Sequence, residues 1–192
     1  MQRDVTLYMP TSAQLEELLA EAKAFAECWV AGDAPSVRPH LIVLGRDLAG
    51  QLGKTLIACA MPFTQPADTR RAMRQLGALM YEQKSVPLAV ALISQAWRGR
   101  LKANEVNCGR ALQDDPGAED GVLVAAVGLT GGLSLGAYRP VRTRIDRLLA
   151  WAGPWEESRE ATFTLIRHFF HGFFGCVPGL EEQLAAQRAG LN

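Results

Sequence analysis

The sequence carries no excess of either charge: 20 lysines and arginines balance 20 aspartates and glutamates over 192 residues. Whole-molecule attraction to nucleic acid or to an anionic membrane surface therefore finds no support, although local patches keep that role open. Cysteine is sparse and scattered. Cys28, Cys59, Cys108 and Cys176 form no C-x-x-C pair, which excludes a zinc knuckle and a thioredoxin-like redox pair. No uncharged apolar run reaches the roughly 18 residues that span a bilayer. The start, Met1-Gln-Arg-Asp-Val-Thr6, lacks the basic-then-apolar order of a signal peptide. A soluble protein of a reducing cytoplasm, with no membrane partner, is the expectation. Internal repeats and low-complexity stretches are absent too.

Catalytic signatures are also missing. Gly53-Lys54-Thr55 has the look of the end of a phosphate-binding loop, but Leu48 stands where that loop requires glycine. Ser94 sits in Leu-Ile-Ser-Gln-Ala, without the G-x-S-x-G elbow of a serine nucleophile. The H-x-E and P-C-x-x-C pair of the zinc deaminases does not occur. Asp114, Asp115, Glu119 and Asp120 lack the residue order of a calcium loop and read as a solvated acidic loop. His168 and His171 stand three apart on a predicted helix, with Cys176 beyond; that spacing can aim two imidazoles at one metal. Their phenylalanine surroundings and the want of a third ligand favour packing instead. No catalytic residue, cofactor or metal ligand is assigned.

What is present is a globular composition, 48% apolar, enough for a core without disulfides or metals. Thr11 and Gln14 form a T-x-x-Q helix start. Leu15, Leu18, Leu19, Ala22, Phe25, Ala26, Trp29 and Val30 follow as one apolar stripe up to Gly32. His40–Leu44 and Thr55–Met61 read as an antiparallel pair around a glycine-rich turn. A second helix opens at Pro66, with Met73, Leu76, Leu79 and Met80 inward. Leu88–Ser94 reads as a central strand buried on both faces. A loop spans 102–120, then strands Val122–Val127 and Leu133–Tyr138 flank Gly131-Gly132. Helices are expected from Pro140 and from Trp155 to Phe174, with a short one after Pro178-Gly179. Hairpin-linked strands with helices stacked on them make an α+β fold. The expectation is a single domain over 1–192, with a mixed, mainly antiparallel sheet of about five strands and a carboxy-terminal helical segment from 140.

Two features suggest function. Phe163, Ile166, Phe169, Phe170, Phe173 and Phe174 crowd nearly every angle of one helix. A helix apolar all round is buried in a core or in a subunit interface, where aromatics are enriched. The favoured reading is a non-catalytic assembly protein, a homo-oligomer joined through that helix. The second feature is arginine. Arg70, Arg71 and Arg74 share one helix face; Arg139, Arg142 and Arg147 are expected to share another; Arg98 and Arg100 flank Trp97. Clustered guanidiniums bind phosphate or carboxylate in forked geometry, and a tryptophan beside them stacks on bases. A nucleic-acid or phosphate-ligand binder is thus the alternative, and an enzyme with a motif-free site beneath the long loop is the third.

Overall fold

The computed structural model describes residues 9–59, 66–98, 118–129, 133–158 and 164–177, the side chains of Pro66, Trp97 and Thr164 excepted. Its architecture is α+β, built on a seven-stranded antiparallel sheet. Helix α1 (Ser12–Ala31) precedes the hairpin β1 (His40–Arg46) and β2 (Leu52–Ala58). Helix α2 (Pro66–Glu82) and the long β3 (Val86–Arg98) follow, then β4 (Glu119–Gly128) and β5 (Ser134–Thr143). Two short strands, β6 (Leu149–Trp151) and β7 (Glu156–Ser158), and helix α3 (Thr164–Phe174) complete the order. The strands lie β2-β1-β3-β4-β5-β6, with β7 also paired to β5.

Period-two alternation sorts side chains onto two faces. Ile42, Leu44, Ala89, Ala91, Ile93, Val122, Val124 and Ala126 pack under α1. Their neighbours Leu41, Val43, Val90, Leu92, Ala125 and Val127 pack under α2 and α3. Every residue of β3 from Leu88 to Ile93 is therefore buried, as expected of a central strand. Helix α1 begins with the expected capping box: Gln14 donates its amide to Thr11 Oγ1 at 3.2 Å and Thr11 donates its own to Gln14 Oε1 at 2.9 Å. Its leucines at 15, 18 and 19 are buried, each such side chain contributing about 1.5–3 kcal/mol. Pro66 opens α2, where its missing N–H goes unmissed.

Several expectations are corrected. The sheet has seven strands, because 140–151 does not form a helix: Ser134–Thr143 is one strand and Leu149–Trp151 another. Arginines fit both periods there, and the period of two prevails, with Ala137 and Val141 buried in one core cluster. Pro140 is tolerated because β7 pairs with residues 136–138 and β6 with 141–143. The proline falls in the gap between them, where the ladder asks no N–H of it on that side. Trp155 likewise leads into β7, so α3 starts only at Thr164. Glu119 and Asp120 belong to β4, not to a loop, and β3 continues through Trp97 to Arg98. Leu79 is exposed rather than inward, and Cys28 is exposed on α1. The Gly131-Gly132 turn, most of the 102–120 segment and the tail helix lie outside the described residues. Among those residues, no helix is long and apolar enough to cross a membrane.

Candidate functional site

Helices α2 and α3 touch backbone to backbone. A Cβ placed on Gly77 would fall on the Phe169 carbonyl oxygen, and one on Gly172 would fall on that of Arg74. Two glycines in helix interiors, each costing about 1 kcal/mol of helix propensity relative to alanine, are what allow this approach. Its consequence is lateral. The outer face of α2 and one flank of α3 become the two walls of a single groove of about 570 Å³.

Arg70, Arg71 and Arg74 line it from α2, and His171 lines it from α3, with Ala67, Ala78, Gly172 and Gly175 keeping the walls low. The three arginines are exposed. None of them makes an ion pair among the described residues. Arg98, Arg139 and Arg144 differ from them, whereas Arg38, Arg142, Arg147 and Arg167 likewise make no ion pair among the described residues. Arg98 is held by Glu119 at 2.7 Å and by Glu156, and lies over the Tyr138 ring at 4.3 Å. Arg139 bonds Glu27 at 2.9 Å and the Gly153 carbonyl at 2.8 Å, with Trp151 4.3 Å beneath it. Arg144 meets Asp33 and Asp146.

His168, on α3 three positions before His171, stands next to the groove without lining it. Its ring stands edge-on to His171, centroids 6.0 Å apart. Its Nδ1 is buried with no hydrogen-bond partner. Burial, and then the charges of Arg74, His171 and Arg70, hold its pKa below the ordinary imidazole value. The histidine spacing seen in the sequence serves this cluster; among the described residues no group of three or more His, Cys, Asp and Glu could hold a metal.

The other candidates fare differently. Arg139, Arg142 and Arg147 share no helix face: the first two are on β5 and the third, at φ 66°, is in the turn before β6. Arg100 and Phe163 lie outside the described residues, and Trp97 is placed by its backbone alone. Ile166, Phe169, Phe170 and Phe173 are buried by α2 and the sheet of the same chain, leaving Phe174 half-buried. Lys54 of the Gly53-Lys54-Thr55 stretch is on β2 and is paired to Glu17 at 2.7 Å and to Glu21.

One polar cluster had no sequence signal. Asp120 accepts from Gln95 Nε2 at 2.7 Å, and Gln95 Oε1 accepts the Val37 amide at 3.1 Å. Asp120 Oδ1 is buried and unpartnered, and burial raises its pKa. Register alone brings these together, since neither residue sits in a motif. No family model, curated protein or solved structure matches the chain.

Proposed function

We propose that this protein binds a phosphate-bearing ligand in the groove between α2 and α3. The observation that carries the reading is the set of three guanidiniums, Arg70, Arg71 and Arg74, gathered on one wall with no ion pair among the described residues, while Arg98, Arg139 and Arg144 are paired. Unneutralised like charges held together repel, and an anion relieves that repulsion while accepting forked hydrogen bonds. The test is thermal unfolding in sodium phosphate against sodium chloride at matched ionic strength. Phosphate should raise the midpoint of the wild type and lose that effect in the R70Q/R74Q variant. Equal midpoints in the two salts would remove the basis of the reading.

Self-association through the aromatic helix keeps less support. Four of its six aromatic or aliphatic positions already face the chain's own core, so a partner would find chiefly Phe174 and Leu165. A homo-oligomer would need a different surface, and the exposed Leu52 and Leu56 on strand β2 offer the nearest apolar one.

A further inference from the structure

Resting on that reading, we infer that the groove selects contiguous phosphates, a di- or triphosphate moiety, and grips them without gripping whatever organic group they carry. Three observations lead there. First, the charge is too large for one phosphate. On α2, Arg74 lies one turn from Arg70 and three positions from Arg71, between them in angle about the helix axis, so the Cβ atoms that carry neighbouring guanidiniums are about 5–6 Å apart. A single phosphate group brings a charge of about −2 against three guanidiniums, whereas linked phosphates balance them. Second, a space of about 570 Å³ is of the size that takes a cofactor-like ligand, not an isolated oxyanion. Third, the lining has little with which to read an organic group. Among the described residues it holds no Phe, Tyr or Trp to stack on a base and no carboxylate to hold ribose hydroxyls; of these residues His171 supplies the one ring and Gln75 the one neutral polar side chain. Asp68, although one turn before Arg71, is not part of it.

The histidines add a signature of their own. His168 faces Arg70, Arg74 and His171, all of which disfavour its protonation, and its buried Nδ1 lacks a partner. An arriving polyanion reverses the sign of that field. Binding should therefore favour protonation of His168, and the wild type should take up more protons on binding than H168N does.

The experiment is calorimetric titration of the full chain at fixed ionic strength with orthophosphate, pyrophosphate, tripolyphosphate, adenosine triphosphate and a single-stranded oligonucleotide. Affinity should climb by about tenfold per added phosphate, the least that one more charge-assisted hydrogen bond contributes. Tripolyphosphate and adenosine triphosphate should agree within about threefold, because the adenosine meets no ring or hydroxyl reader. Repeating the titration in buffers of different ionisation enthalpy should reveal proton uptake, reduced in H168N. Orthophosphate binding with no gain on lengthening the chain would overturn the inference and leave the phosphate reading standing. Adenosine triphosphate or the oligonucleotide binding more than tenfold tighter than tripolyphosphate would overturn it in favour of base recognition. Absence of binding by every anion would end both.

Discussion

The seam between α2 and α3 decides whether the groove exists, and it can be tested with one methyl group. In Gly77→Ala the new Cβ would lie 2.8 Å from the Phe173 amide nitrogen and 2.9 Å from the Phe169 carbonyl carbon. In Gly172→Ala it would lie 2.6 Å from both Cα and carbonyl carbon of Arg74. Carbon atoms prefer 3.5–4.0 Å, so the helices must part by about 1 Å. These neighbours are backbone and cannot turn aside. A gap of that size forfeits about a quarter to a half of each dispersion contact it opens, and the seam is flanked by the fully buried Met73, Met80, Phe169 and Phe173.

Two effects compete. Alanine improves helix propensity by about 1 kcal/mol, whereas overpacking a tight contact costs about 1–3 kcal/mol and sometimes more. Backbone collision in a rigid pair of helices puts the cost at the upper end. The expected net loss is about 2 kcal/mol for each variant. The double variant should lose less than the sum, because one displacement relieves both clashes. Urea unfolding followed by tryptophan fluorescence reads this directly. Gly53→Ala on exposed β2, where a Cβ meets nothing within 4 Å, is the control and should stay within about 0.5 kcal/mol of wild type. If Gly77→Ala or Gly172→Ala proved as stable as wild type, propensity would have won, the close approach would be wrong, and the groove built on it would go with it.

Asp120 and the cysteines give further checks. Burial raises the Asp120 pKa above 3.8, so the native state holds that proton more tightly than the unfolded chain does. Its ionisation thus withdraws stability as pH rises from about 3.8 through the folded-state value. Asp120→Asn keeps an acceptor for Gln95 and removes the charge; its stability relative to wild type should grow from pH 4 to pH 7, read by denaturant midpoints, and a constant difference would refute the assignment. Burial also pushes the Cys59 thiol up to about 11, while Cys28 is exposed. Brief iodoacetamide treatment of native protein at pH 8, mapped by peptide mass spectrometry, should label Cys28 and spare Cys59; equal labelling would contradict the burial.

Much of the sheet was readable in advance because burial on alternate faces imposes a period that no other element shares. Leu88–Ser94 and Val122–Val127 declare themselves by apolar runs too short for helices, and Thr11–Gln14 by its capping chemistry. The 140–151 region was not readable, for a physical reason. Arginine is neutral toward period, since its long stem lies over apolar neighbours on either element while its charge reaches solvent. Arg139 does so over Trp151, and arginines at 139, 142, 144 and 147 made a strand look like one face of a helix. Likewise a proline at a strand's middle argues against a strand only if both neighbours are continuous. Here the neighbour is split into β6 and β7, which sequence order does not announce.

The candidate site was half legible in the same sense. Arg70-Arg71-x-x-Arg74 and His168-x-x-His171 were each visible, and each alone is what a solvated or packed helix shows. Their meeting was not visible, because it depends on which helix lies beside which across about ninety residues of chain. A cue was nevertheless present. Gly77 follows Arg74 by three positions and Gly172 follows His171 directly, and a glycine in a helix interior is retained against its own propensity only where something must come close. Two helices each bearing such a glycine next to a charged cluster are candidates to cross at those glycines and to set the clusters side by side.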